Sequence, residues 1–585
     1  MKKSIFLLQK YSFIFSVETI QKIYFGGFIV LILALSYYQI IKGDYYFKRA
    51  KNNYVRLIPL RAIRGSILDR NGKLIADDKA SFNISVIPYQ IKRKKDPLFR
   101  EIAKFLNLDV KSLYRNYNKN LRSLFIPVDI LIGSDKITAL ALKEKFADAI
   151  LINTQPQRYY PYTYQFAHIL GYVKKATARY EELKKYGYQP LERIGFSGIE
   201  QQYDAYLKGE DGGDSIEVDA KGKMVGFLGK QIPKKGKSIQ LTIDSRIQNA
   251  AYQSLEGEKG AIILMNSDNG EIIALCSAPS FDSNHFVKGK NIAKLLNHKD
   301  SPMLNRAIQA SYPIGSVFKP ILALAALETG KSRLGTQKIT SATTFFCSGE
   351  LRLGLAKFRC WATHGRQNLH QALIHSCNIY FYNLGLLLGP NIMSKWAKKI
   401  TLDSLTNIDL PYEKKGFIPT VKWKRKKLKT AWFPGDTFNF SIGQGFITST
   451  PLEVVTAINV FANNGYLVVP HILKNVAGLN SELATRTYLG ASERNIKKIK
   501  KGLRGAVSEP GGTASMLRAL NLQISGKTGT AQTRGESHGW FVGYFPYRNK
   551  KYTICVFLEN VGSSYVALKV TYNFLEKITK DNDFL

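Results

Sequence analysis

Residues 23–41 run for nineteen positions without a charge, and this stretch restricts the chain before any other feature does. An apolar helix of about 20 residues spans the hydrocarbon core of a bilayer. Lys2, Lys3, Lys10 and Lys22 precede it and Lys42 ends it, which predicts a cytoplasmic N-terminus. The following Lys42-Gly43-Asp44-Tyr45 lacks the small-residue pattern of a cleavage site, so a retained anchor is expected; a cleaved signal is the alternative. Residues 4–17 are apolar but short and read as interfacial. At 585 residues the chain exceeds what one core holds, so several domains follow. The partition expected is 1–22 cytoplasmic or interfacial, 23–41 transmembrane, 42–236 a non-catalytic pedestal and 237–585 a catalytic domain.

The net charge of +40, 84 Lys and Arg against 44 Asp and Glu, favours an anionic partner: nucleic acid, anionic lipid or an acidic polymer. No finger repeat, recognition helix or concentrated basic arm is present, which argues against nucleic acid. Behind the anchor, Asn71-Gly72 marks a hairpin turn between short apolar runs. Residues 100–106 and 137–146 read as helices, and up to residue 236 no nucleophile–base pair or metal-ligand spacing occurs. A strand near 238–244, a helix over 246–255 and two strands joined at Asp268-Asn269-Gly270 then open an α/β domain with an antiparallel element.

Within that domain, Ser311-Tyr312-Pro313-Ile314-Gly315-Ser316-Val317-Phe318-Lys319-Pro320 reads as a turn opening a helix. The three-residue spacing puts Ser316 and Lys319 on one helical face. A serine hydroxyl needs a neighbouring base to become a nucleophile, and a lysine in a dry site loses enough pKa to serve. Three later stretches have the same polar character. Ser376-Cys377-Asn378 lies between two apolar helical runs, and Ser441-Ile442-Gly443-Gln444-Gly445 precedes a helix near Pro451. Ser525-Gly526-Lys527-Thr528-Gly529-Thr530 is followed by an apolar strand at 539–544. Each alone is compatible with a turn or a cap; together, in this order, they describe the walls of a cleft.

The ordered set Ser316-x-x-Lys319, Ser376-x-Asn378, Lys527-Thr528-Gly529 resembles the signature of penicillin-recognising serine enzymes. The hairpin Arg64-Gly65 to Asp69-Arg70-Asn71-Gly72 is similar to the entry motif of class B penicillin-binding proteins. Pro279-Ser280-Phe281-Asp282, Pro434-Gly435-Asp436-Thr437 and 441–445 are similar to signatures of their elongation-type group. The resemblance covers nearly the whole chain from about residue 50 and leaves no place for a glycosyltransferase domain. It implies a transpeptidase domain with a central antiparallel sheet flanked by helices, behind a transmembrane helix and an elongated pedestal. It also implies a D,D-transpeptidase that cross-links peptidoglycan stem peptides and is acylated by β-lactams, with its catalytic domain on the outer face of the bacterial inner membrane. By the same resemblance Ser316 is the nucleophile and Lys319 its base. Ser376 relays a proton, Asn378 holds the donor peptide, and Lys527 with Thr528, Gly529 and Thr530 steadies substrate, the Ser316 and Thr530 N–H groups forming the oxyanion hole. The implied partners are elongation-complex scaffold proteins and a polytopic glycosyltransferase of the shape, elongation and division family. A division-specific enzyme, a carboxypeptidase and a penicillin-binding sensor are the alternatives on the same fold. Asn378 stands where elongation-type enzymes usually carry aspartate, which removes a charge from the second motif.

Of the five cysteines, Cys276 and Cys555 sit in apolar strand-like runs and read as buried thiols. Cys347, Cys360, His364 and Cys377 supply three thiolates and an imidazole, a full tetrahedral shell for structural Zn²⁺. A Cys347–Cys360 disulfide and free thiols are the alternatives. Elongation-type relatives resemble this chain in having a zinc site at corresponding positions. His538 reads as a cleft-edge residue.

Overall fold

The computed structural model describes residues 17–580, except 93, 122–123, 125–126, 187, 189–191, 220–223 and 481–484. The expectations resting on Lys2, Lys3, Lys10 and residues 4–16 lie outside the described residues. The apolar run is helical: α1 spans Val17–Ser36 and one π-helical segment, Tyr37–Ile41, continues it. No residue of α1 is buried against protein, as a lipid-facing helix requires.

The rest divides into two compact units. The first, which includes α1, takes Met1–Arg61, Phe82–Gln155 and Asp211–Pro233. In it Val55–Leu60, Gly212–Val218 and Met224–Gln231 form an antiparallel three-stranded sheet. Helices Lys95–Phe105, Val110–Asn120 and Lys136–Phe146 bury Phe99, Leu113 and Leu142 in a separate small core.

The second unit takes Ala62–Ser81, Pro156–Glu210 and Lys234–Leu585. The pedestal expected over 42–236 is therefore not one packing unit. Two of its segments join the C-terminal body, where Ile67 pairs with Ile239, the Tyr203 hydroxyl donates to Asp409 at 2.7 Å and the Ser245 N–H donates to Asp69 at 3.1 Å, while their buried charged side chains pair the two segments with each other. Arg64 Nε meets Glu200 Oε2 at 2.5 Å and Arg64 Nη2 meets Asp204 Oδ1 at 2.6 Å. Arg158 Nε meets Glu200 Oε1 at 2.5 Å, and its Nη1 reaches Asp78 at 3.4 Å and the Gly65 carbonyl at 2.9 Å. The Asn71-Gly72 turn forms as expected, with Gly72 at φ +84°.

The frame of this unit is a five-stranded antiparallel sheet of β1 (Gly260–Asn266), β2 (Ile272–Ala278), β3 (Ser525–Ala531), β4 (His538–Tyr547) and β5 (Lys550–Leu558), in the order β2-β1-β5-β4-β3. Its strands are apolar on both faces because helices cover both. Ile262, Leu264, Phe541 and Val556 pack into one core with the helices Ser245–Ser254 and Ser564–Lys580. Their strand neighbours Ile263, Met265, Val542 and Phe557 pack into the other. This is the two-residue alternation of a strand read out as two cores. The second core holds α2 (Lys319–Thr329), α3 (Leu369–Ile374), α4 (Asn378–Leu388), α6 (Pro434–Ser441) and α7 (Pro451–Ala462) in its layer; every residue of α7 is buried, whereas α5 (Val421–Leu428), just before α6, buries only Lys424.

Candidate active site

Ser316 lies in a 3₁₀ turn, Gly315–Phe318, and the α-helix itself starts at Lys319. The turn is clamped against edge strand β3. Gly315 has φ +56°, and a Cβ there would stand 2.7 Å from the Thr530 carbonyl, so only glycine fits. Its N–H donates to the Gly443 carbonyl at 2.9 Å. Upstream, Tyr312 and Ser449 exchange backbone hydrogen bonds and Trp540 Nε1 donates to the Pro313 carbonyl at 3.0 Å. The Tyr312 hydroxyl donates to Glu559 at 2.6 Å, and Arg306 holds Glu559 at 3.1 Å. This Tyr312–Glu559–Arg306 clasp escapes sequence reasoning: Glu559 is 247 positions from Tyr312, and no local pattern links them.

Ser316 is half-buried; Lys319, one helical turn on, is completely buried. The Lys319 ammonium donates to the Ser376 carbonyl at 2.7 Å, to Ser376 Oγ at 3.2 Å and to Asn378 Oδ1 at 2.7 Å. Burial lowers its pKa from the ordinary lysine value to about 8, against a partial opposing pull from Cys360 and Cys377. Ser376 sits at φ +53°, a conformation that costs a non-glycine residue of order 1–3 kcal/mol and persists only where surroundings over-determine it. Here the Lys319 bonds and the Cys377 N–H, donating to the Ala372 carbonyl, hold it.

Lys527 projects from β3 and is also completely buried, donating to the Thr528 carbonyl at 3.1 Å. Burial, and then the charge of Lys319, hold its pKa well below the usual lysine range. Neither lysine makes an ion pair among the described residues. Thr530 is the exposed member of the strand. Thr528 is buried and donates to the Thr513 hydroxyl at 3.1 Å, while Gly529 packs against the Ile314 carbonyl and Val317. Of the substrate-contacting trio expected on β3, only Thr530 therefore opens to solvent. His538 is buried behind Tyr312, edge-on to its ring, and receives the Asn560 N–H at 3.1 Å.

The second motif is built into the cysteine cluster. Cys377 caps α4, accepting the Tyr380 N–H, and the Asn378 N–H donates to Cys360 Sγ at 3.2 Å. None of the five cysteines is in a disulfide. The ligand atoms of Cys347, Cys360, His364 and Cys377 lie within 4.8 Å of one another. His364 Nδ1 stands 3.5 Å from both Cys347 Sγ and Cys360 Sγ. Zn–S bonds of about 2.3 Å and Zn–N bonds of about 2.0–2.1 Å at a tetrahedral angle imply an S···N edge of about 3.6 Å, so donor set and spacing fit zinc. The hydrogen bond from Cys377 pushes the Cys360 thiol's pKa down, while the same bond pushes that of Cys377 up.

Two family models match: the penicillin binding protein transpeptidase domain over residues 260–580 and the penicillin-binding protein dimerisation domain over 59–241. Peptidoglycan D,D-transpeptidase MrdA of Acinetobacter baumannii is 32% identical over 564 residues, covering 91% of this chain and 82% of the relative. The Escherichia coli K12 protein of that name is 30% identical, covering 91% and 89%. The chain belongs to the elongation-type class B penicillin-binding proteins. Among solved structures, a complex between a penicillin-binding protein and MreC from Helicobacter pylori superposes with a TM-score of 0.79 at 29% identity, covering 90% of this chain and 99% of the other. A structure described as a peptidoglycan synthase complex gives 0.72 at 27% identity, covering 97% and 99%. Membership makes this membrane-anchored chain a serine-type peptidoglycan D,D-transpeptidase of cell elongation.

Proposed function

We propose that Ser316 is the residue acylated during cross-linking and that Lys319 activates it. The observation carrying this reading is a buried ammonium between the Ser316 turn and the Ser376–Asn378 motif, with no carboxylate to keep it charged. In its neutral form Lys319 accepts the Ser316 proton as Oγ attacks the penultimate D-Ala carbonyl carbon. The C=O electron pair moves to oxygen, and the N–H groups of Ser316 and Thr530 receive the oxyanion. On collapse the C–N bond breaks, and the leaving D-Ala nitrogen takes a proton delivered through Ser376 from Lys319. An acceptor amine then attacks the acyl-serine, its proton returns along the same path, and Ser316 is regenerated. Lys527 and Thr530 hold the terminal carboxylate of the donor, and Asn378 positions its peptide amide.

Zn²⁺ is the proposed occupant of Cys347, Cys360, His364 and Cys377. Bound there it supplies a fixed cross-link between the loop 347–364 and the start of α4. These residues then act by positioning Asn378, whose N–H is already on Cys360. Metal analysis before and after Cys347→Ser tests this: zinc is present at about one per chain and lost in the variant. Zinc unchanged by the substitution removes Cys347 from the site.

We further propose that residues beyond α1 lie on the outer face of the inner membrane, where the cross-linked polymer is. The partners proposed are an elongation scaffold of the MreC kind and a polytopic glycosyltransferase of the shape, elongation and division family; the solved complex of a relative with MreC supports the first, and the solved peptidoglycan synthase complex supports a synthase assembly in general. Labelling with a fluorescent penicillin is the primary test. The label sits on Ser316 and disappears in Ser316→Ala; a variant that still labels refutes the assignment.

A further inference from the structure

Helix α5 has one face buried in the active-site wall and one face that nothing in the cross-linking chemistry uses. On the buried side, Lys424 pairs with Asp436 at 2.5 Å and Trp423 packs on Phe446, the residue that follows Gly445. That loop borders the serine directly, since Gly443 accepts from Gly315 and Gln444 donates to the Thr530 carbonyl at 3.4 Å. On the outer side, Lys422, Arg425 and Lys426 follow one another at positions i, i+3 and i+4 along one helical face, and Lys429 follows as the left-handed C-cap of the helix. All four are exposed and none makes an ion pair among the described residues. Phe433, 58% exposed, follows shortly after the helix and adds an aromatic surface.

Four unneutralised cations within eight residues repel one another, which a solvated face ordinarily relieves with interspersed acids. Here the acid on this segment, Asp436, is taken by the inward-facing Lys424. The arrangement fits a ligand with regularly repeated negative charges and sugar rings. The polymer this enzyme acts on has both: a glycan whose stem peptides carry free carboxylates. We infer that the outer face of α5 is an exosite for the acidic peptidoglycan strand, holding a stretch outside the cleft while one stem peptide reacts. This rests on the transpeptidase reading of the Ser316 site. It predicts that the exosite contributes to strand affinity and not to acylation by a small β-lactam, which carries no repeated run of carboxylates.

The test compares full-length protein in detergent with the variant K422Q/R425Q/K426Q/K429Q, which removes charge and keeps a helix-forming side chain at each place. Soluble uncross-linked strands bearing pentapeptides are titrated at low and at raised salt. Binding weakens about ten-fold or more in the variant at low salt, and the salt dependence of binding falls with it. KM for strand cross-linking rises while fluorescent-penicillin acylation stays within about two-fold. A second variant, K422R/R425K/K426R/K429R, keeps the charges and binds strands as the parent does. Equal strand binding by parent and glutamine variant overturns the exosite, as does equal binding of strands whose carboxyls are amidated. So does a loss confined to vesicles containing phosphatidylglycerol, which assigns the stripe to lipid. Failure of penicillin to label Ser316 in the parent overturns the underlying active-site reading instead, and is distinguished by that readout alone.

Discussion

The C-terminal body buries two sets of charges, and they are treated in opposite ways. Around Glu200, two guanidinium groups face three carboxylates in direct contact. Burial alone would favour the neutral acid, but Arg158 and Arg64 outweigh it and hold the Glu200 carboxyl below its usual range. Burial likewise opposes the charge on Arg64, and Glu200 and Asp204 override it, raising that pKa. At the cleft, Lys319 and Lys527 are equally buried and have only neutral oxygens as partners. Their pKa values therefore fall. The first cluster keeps its charges and fixes chain segments; the second sheds a proton and can take one back. What separates a structural clasp from a base is the balance of neighbouring charge, at equal burial.

The largest effect that this contrast predicts is on Lys319. Lys319→Ala removes the proton acceptor, and acylation of Ser316 by penicillin slows by about 10²–10⁴-fold, measured by gel fluorescence against time. Because Lys319 bonds to neutral oxygens and to no carboxylate, its removal strands no buried counter-charge and the variant remains folded. An acylation rate within a few-fold of the parent would assign the base elsewhere and collapse the distinction.

Glu200→Ala is the converse. It leaves Arg64 and Arg158 buried without their shared partner and costs about 3–5 kcal/mol of stability, read as a lowered urea midpoint. Acylation per folded molecule stays within a few-fold, since Glu200 touches no residue of the cleft. The sign of its pH dependence also follows. The folded-state carboxyl is held low, so the contribution is present above the unfolded glutamate pKa of about 4.3 and is lost as pH falls below it. A variant with an unchanged midpoint would show that the cluster contributes nothing net.

The two clusters were unequally legible in the sequence. Ser316 with Lys319, and Ser376 with Asn378, are separated by only three and two residues, so local spacing brings each pair together: a helical turn for the first, and for the second the left-handed Ser376 just ahead of α4. Cys347, Cys360, His364 and Cys377 are legible as donor types, and the structure brings all four together. Arg64 and Glu200 stand 136 positions apart, with no periodicity joining them, and the stretch carrying Arg64 is legible as a hairpin and an entry motif but names no partner for the arginine. The same distance hid the allegiance of Ala62–Ser81 and Pro156–Glu210 to the C-terminal body, which expresses pairings made only after the chain folds. On β3, the resemblance implies substrate contacts at Thr528, Gly529 and Thr530, of which Thr530 alone is exposed. In the structure Thr513 takes the Thr528 hydroxyl and the Ser316 turn takes the face of Gly529.

A smaller change converts one kind of site towards the other. Asn378→Asp places a carboxylate where Oδ1 now accepts from Lys319 at 2.7 Å. The negative charge favours the ammonium, so the Lys319 pKa rises from about 8. Acylation in the parent increases with pH through about 8 as the lysine loses its proton; in the variant this limb moves to higher pH. Each unit of displacement lowers the rate at pH 7 by about ten-fold. Rate profiles from pH 6 to 10 decide it, and a limb that stays in place would mean that Asn378 Oδ1 does not face the titrating group.

Tyr312→Phe asks whether the serine turn depends on a clasp of the first kind. The hydroxyl donates to Glu559, whose charge Arg306 already compensates, so the variant loses one hydrogen bond and leaves no unpaired buried charge. The cost is about 1–2 kcal/mol of stability, at the lower end because Glu559 keeps its arginine. The Tyr312–Ser449 backbone pairing and the Trp540 bond to Pro313 remain, so the turn keeps its place and acylation falls only a few-fold. Glu559→Gln sharpens the reading. It strands Arg306 without a counter-charge as well as weakening the tyrosine bond, and its stability loss exceeds that of Tyr312→Phe. Equal losses in the two variants would show that Arg306 draws nothing from Glu559, and that the clasp behind Ser316 is a hydrogen bond alone.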